Sequence, residues 1–226
     1  MKTLGLFGGL LLAGIAPAAI IGLETFDTDE AGFGPNTTAS VVAYSAGGGN
    51  PDGHIQTRRD LSESFFDIGA LNSDARFTGD YAADGIGSMT VDLNFSTANF
   101  TGAWFRVRSN IVSNGWLFPL TAAFPTDVWN TYGVSFNPTW TDLEARAAGW
   151  VTDEDLDPLN TASPSFASVM ASVGFAEVRL GSTDESTLAG IDNFGLGAPV
   201  PEPSTLVLLG CGLGLIAVRR WRAGTR

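Results

Sequence analysis

Met89-Thr90-Val91-Asp92-Leu93-Asn94-Phe95 is the stretch that decides the fold of this chain. Apolar and polar residues alternate through it without a break. Successive side chains of a strand point to opposite faces, so Met89, Val91, Leu93 and Phe95 share one face and Thr90, Asp92 and Asn94 the other. One face suits a core and the other suits water. The same period recurs further along. Ala103, Phe105 and Val107 alternate with Trp104, Arg106 and Arg108, while Tyr132, Val134 and Phe136 form another inward set. Phe175 to Leu180 alternates too, with Glu177 and Arg179 on one face. Gly, Pro, Asn and Asp clusters punctuate these runs, as at Gly47 to Gly53 and Asp153 to Pro158. Only Phe166, Val169, Met170 and Val173 fall at helical spacing. The pattern predicts an all-β chain, a β-sandwich of short strands with one short helix.

The two ends read differently. Lys2 gives a positive start, Leu4 to Ile15 is an apolar run of 12 residues, and Ala16-Pro17-Ala18 fits a small-x-small cleavage pattern. Residues 1–18 therefore read as an export signal peptide, with signal peptidase as a partner. The alternative is a membrane-retained N-terminal helix. The other end, residues 200–226, reads VPEPSTLVLLGCGLGLIAVRRWRAGTR. Pro201 and Pro203, flanking Glu202, hold the chain extended. Leu206 to Val218 is an uncharged run of 13 residues. As a helix it would reach roughly 20 Å into a membrane core about 30 Å thick. Arg219, Arg220 and Arg222 follow as a basic stop, with Trp221 suited to the membrane interface. Triplet, apolar run and arginines, in this order, resemble the PEP-CTERM sorting signal of Gram-negative bacteria. The resemblance implies a tail held in the membrane as a single apolar helix, then processed by an exosortase-type transpeptidase. It also implies export to the cell envelope, cell surface or extracellular matrix of a Gram-negative bacterium. An ordinary short C-terminal anchor is the alternative.

Between the ends lies a segment of 181 residues, 19–199, enough for one domain with a substantial core. It carries 7 arginines, no lysine and 23 acidic residues, a formal charge of −16. Nucleic acid is excluded as a partner, because phosphate binding needs a basic footprint. The only cysteine, Cys211, sits in the tail, so the segment has no disulfide framework.

Five stretches of this segment carry a second resemblance: GGGNPDGHIQ (Gly47 to Gln56), RFTGDYAADGIGSMTVDL (Arg76 to Leu93), VWNTYGVSF (Val128 to Phe136), FASVMASVGFAEVRL (Phe166 to Leu180) and GIDNFGL (Gly190 to Leu196). Their order resembles that of laminin B (laminin IV) domains, jelly-roll sandwiches related to carbohydrate-binding modules. The resemblance implies an extracellular-matrix module without catalytic activity. It also implies a structural calcium ion near the meeting of first and last strands, with Glu24, Asp27 and Asp192 as the matching carboxylates. The alternative for Asp192 is a strand cap or a bond to backbone amides. Asp153-x-Asp155-x-Asp157 has calcium-loop spacing, but Pro158 stands where such a loop needs glycine, and a solvated acidic loop is the simpler reading.

A glycan site would pair an aromatic platform with hydrogen-bonding side chains. Trp104, Arg106 and Arg108 share one strand face and supply that combination. Trp116, Trp140 and Trp150 sit near turns and could extend it, though tryptophan commonly packs into a core. Trp129, beside the Tyr132-Val134-Phe136 strand, reads as structural. Catalysis finds little support. His54 is the only histidine, which excludes multi-histidine zinc sites, and no GxSxG elbow is present. Asn36, Asn94 and Asn99 head glycosylation sequons that a bacterial-type tail makes coincidental. The sequence thus supports a non-enzymatic exported matrix or surface protein associated with envelope or exopolysaccharide. A carbohydrate-binding module with a defined ligand is the alternative, and a glycan-active enzyme the third reading.

Overall fold

The alternating runs become strands in the computed structural model, which describes residues 20–37, 40–59, 67–110, 114–120, 124–184 and 187–199. In chain order the strands are β1 (Ile20–Glu24), β2 (Gly34–Pro35), β3 (Ser40–Ser45), β4 (His54–Arg59), β5 (Asp67–Asn72) and β6 (Ser88–Phe95). They continue as β7 (Phe100–Ser109), β8 (Gly115–Pro119), β9 (Asn130–Ser135), β10 (Val151–Thr152), β11 (Val173–Ser182) and β12 (Leu188–Gly197). Among the described residues, three short helices join them: α1 (Asp142–Ala147), α2 (Asp153–Leu156) and α3 (Phe166–Met170).

The strands form two antiparallel sheets. The first has the order β3-β4-β12-β6-β9, with β1 also paired to β12; the second has the order β10-β8-β7-β11-β5-β2. Among the described strands, β3 with β4 and β7 with β8 are the sequence neighbours that pair, and every other pairing joins strands that are not consecutive in the chain, as in a jelly-roll sandwich. Strand β12 is long enough to pair twice along one edge. Leu188 to Ile191 pair with β4, and Phe194 to Gly197 pair with β1.

The core lies between the sheets and is made by the predicted inward faces. Met89, Val91, Leu93 and Phe95 are fully buried, and so are Phe105, Val107, Val178 and Leu180. Aromatic rings dominate the centre, where Phe194 meets Phe33, Phe77 and Phe105 edge-on at 5.2, 5.4 and 6.2 Å. Such edge contacts add to the burial that drives the sandwich together.

Helix α3 stands where the Phe166 spacing predicts it, with Phe166, Val169 and Met170 buried. The other two helices go beyond the expectation of one. Helix α1 is fixed by a capping box: Thr141 Oγ1 accepts from the Glu144 amide at 3.3 Å, and Glu144 Oε2 accepts from the Thr141 amide at 2.8 Å. Helix α2 replaces the solvated loop expected at Asp153 to Asp157. Its three aspartates do not converge. Asp153 is buried against Arg106 and Arg179, Asp155 accepts from Thr152 and Arg146, and Asp157 accepts from the Leu159 amide.

The signal-peptide reading of residues 1–18 and the tail residues Pro201, Glu202, Pro203, Arg219, Arg220 and Arg222 lie outside the described residues, as does the expected C-terminal apolar helix. Among the described residues, no helix is long and apolar enough to cross a membrane.

Candidate functional site

The outer face of the first sheet holds a cleft, and the β3–β4 turn builds one end of it. Gly49 makes that turn possible: a Cβ there would lie 2.1 Å from the Gly53 carbonyl and 2.8 Å from Asp192 Oδ2. The turn is tied to the sheet by two carboxylates that face each other on adjacent strands, Asp92 on β6 and Asp192 on β12. The Asn50 amide donates to Asp192 Oδ2 at 2.6 Å, and the Asn50 side chain donates to Asp92 Oδ2 at 3.0 Å. Asn193 Nδ2 bridges the same Asp92 oxygen at 2.7 Å and the Asn50 carbonyl. Thr131 Oγ1 supplies Asp92 Oδ1 at 2.5 Å. Asp92 and Asp192 are therefore buried although they lie on the outward face. Burial pushes the Asp192 carboxyl above its ordinary range. The Asn50 and Asn193 amides oppose this, and the nearby charges of Asp92 and Asp27 reinforce it.

Trp129 forms the wall of the cleft. Its ring lies over Gly190, where a Cβ would come 2.7 Å from Trp129 Cη2. Its Nε1–H donates to the Gly48 carbonyl at 2.8 Å. His54 meets the indole edge-on, at 5.4 Å and 79°. The imidazole is 6% exposed, and its Nδ1 is buried without a hydrogen-bond partner. Burial moves the His54 pKa down from its ordinary 6.5, while the nearby Gly47 carbonyl opposes the shift from outside hydrogen-bond geometry. Burial therefore favours the neutral form of the ring. In front of Trp129 the cleft encloses about 300 Å³, lined by Gln56, Asn94, Ser96, Asp127 and Leu188. An aromatic wall, a flat glycine floor and two amides are the parts that hold a sugar ring: apolar contact for its C–H face and bidentate groups for its hydroxyls.

The second sheet arranges the expected platform differently. Trp104, Arg106 and Arg108 do share the outer face of β7, and Trp104 lies half-buried against Gly102 and Gly181. The two arginines are already engaged. Arg106 pairs with Asp153 at 2.7 Å and Glu177 at 3.1 Å, Arg108 with Glu177 at 2.8 Å, and Arg179 with Asp153 at 2.8 Å. Asp153 and Glu177 are buried in this network. Burial works against the Arg106 charge, but Glu177 and Asp153 outweigh it and raise its pKa. Trp116 and Trp150 belong to the core and Trp140 packs against it, so none extends a platform. Trp129, read from sequence as structural, packs over Gly190 and against His54 on the outer face of the first sheet.

The carboxylates expected to share calcium are only partly gathered. Glu24 accepts from the Phe26 amide and pairs with Arg76 at 2.9 Å. Asp192 binds the amides of Asn50 and Asn193. Asp27 is close enough to act on Asp192 electrostatically. Among the described residues, no three His, Cys, Asp or Glu side chains are placed to hold one metal ion.

Residues 199–222 match the sequence model of the PEP-CTERM protein-sorting motif. No curated protein matches the chain. Solved structures do match it in fold. One is an N-terminal endo-1,4-beta-D-xylanase 10B from Clostridium thermocellum, its CBM22-1 and GH10 modules complexed with xylohexaose, at 9% identity and TM-score 0.50. An exo-beta-agarase matches at 13% identity and TM-score 0.53. These matches cover 82% of this chain but only 30% and 26% of the two enzymes. A family 11 carbohydrate-binding module of a Clostridium thermocellum cellulosomal cellulase matches at 14% identity and TM-score 0.49, over 82% of this chain and 99% of the module. At such identities the likeness to the xylanase and the agarase shows the sandwich fold alone and leaves the activity to the residues of the site.

Proposed function

We propose that this chain is an exported carbohydrate-binding module that holds a glycan in the cleft between Trp129, Gly190, Gln56 and Asn94. The carrying observation is the Trp129 indole laid over Gly190, beside polar groups left free for a ligand. The sorting motif at 199–222 indicates delivery to the cell envelope or surface. Processing by an exosortase and by signal peptidase, a Gram-negative host, and exopolysaccharide as the local ligand extend this reading. The laminin B resemblance supports a matrix setting. The module acts by binding and carries out no reaction.

The test compares Trp129→Ala with Trp104→Ala by affinity electrophoresis through gels containing xylan, agarose or mixed-linkage glucan. Losing the wall weakens binding about tenfold or more, the equivalent of roughly 1.4 kcal/mol, whereas Trp104→Ala binds as the parent does. Loss of binding in Trp104→Ala alone would move the site to the second sheet.

Calcium is a separate proposal. It would sit at the corner of Asp27 and Asp192, with main-chain carbonyls completing the oxygen set. Chelation then lowers the melting temperature by several degrees, and Asp192→Ala abolishes the difference. A melt indifferent to chelator refutes it.

A further inference from the structure

We infer that the cleft receives the end of a glycan chain, one or two sugar rings deep, and does not grip an internal stretch. The inference rests on the glycan reading above and deepens it. Strand register defines the floor. Gln56, Gly190 and Asn94 form one row across β4, β12 and β6. The next row inward contains Asp192 and Asp92, and the turn held by Asn50 covers it. Trp129 comes from the β9 side of β6, rests on Gly190 and is bonded to Gly48 of that turn. Indole and turn together close the path along the sheet.

The flank beside β6 is closed as well. Thr126 bridges to Phe95, and the Asp127 amide donates to the Phe95 carbonyl at 2.9 Å, which fixes residues 126–129 against the strand end. The row outward, at Leu188 and Ser96, is where β12 begins and β6 has just ended. The cleft therefore opens at the rim of the sheet and stops at Trp129. Its 300 Å³ stands at the bottom of the range of about 300–1,000 Å³ that holds a drug-sized ligand. A long chain lying across the sheet would meet the 126–129 segment or the indole. A chain end has only to enter.

The experiment titrates the full chain, purified in mild detergent, with β-1,4-xylo-oligosaccharides and mixed-linkage β-gluco-oligosaccharides of two to six residues, by calorimetry. Affinity is complete at two residues and stays within about twofold from two to six. A second measurement uses insoluble xylan before and after partial enzymatic cutting: protein retained follows the number of chain ends at constant polysaccharide mass. Affinity that climbs about tenfold from two residues to six, or retention that follows mass alone, overturns the chain-end inference while leaving glycan binding intact. No binding to either series or to cut xylan overturns the glycan reading, and this inference falls with it.

Discussion

Gly190 carries no side chain because two rings occupy the space one would need. A Cβ there would stand 2.7 Å from Trp129 Cη2 and 3.2 Å from His54 Cδ2. The tryptophan, the histidine and the glycine form one contact, and the histidine makes it sensitive to pH. Because burial lowers the folded-state pKa of His54, the unfolded chain takes up a proton before the folded one as pH falls below 6.5. Stability contributed by the neutral ring is present above 6.5 and is lost as pH drops from there through the folded pKa. Denaturant unfolding just below 6.5, above the carboxylate range, shows this decline, and His54→Gln flattens it. Equal slopes in both proteins would remove His54 as the cause. Little of this contact was legible in the sequence. Trp129 stands before a strand and looks like one more core residue; its bond to Gly48 joins positions 81 residues apart. Asp92 was correctly read as outward-facing, but its burial depends on Asn50 and Asn193, 42 and 101 residues away.

At the scale of elements, β7, β11 and α2 are joined by charge where water was expected. Asp153 serves Arg106, Arg179 and the Gly115 amide at once, and it is 1% exposed. Removing one partner from a buried ionic network strands the others without compensation. Asp153→Ala is thus expected to destabilise the domain by about 3–5 kcal/mol, with urea unfolding as the measure. A loss as small as that of an exposed pair, about 1 kcal/mol or less, would show that water replaces the carboxylate. The alternation of β7 and β11 placed these arginines and Glu177 on one face from sequence alone. Their partner was hidden, because Asp153 sits in an acidic cluster whose composition reads as solvent-exposed. The signal for α1, in contrast, was present in Thr141-x-x-Glu144, a capping box that precedes only a short helix.

At the scale of the whole molecule, a jelly-roll sandwich is followed by a sorting motif at 199–222. Deleting residues 200–226 is expected to remove the protein from the envelope or surface fraction, with the domain still folded. Cell fractionation and a melting curve report the two halves of that statement. A deleted chain that reaches the same compartment would refute sorting by the tail. Strand β12 starts at Leu188 in the lining of the cleft and finishes at Gly197, shortly before the sequence matched at 199–222. Between those points it is hydrogen-bonded on both sides, to β4 and β1 along one edge and to β6 along the other. Tension between a captured glycan and a tethered C-terminus would run lengthwise down this strand. Its ladders would then be loaded in shear, many bonds at a time, and would not unzip one after another, so β12 is placed to behave as a mechanical tie rod.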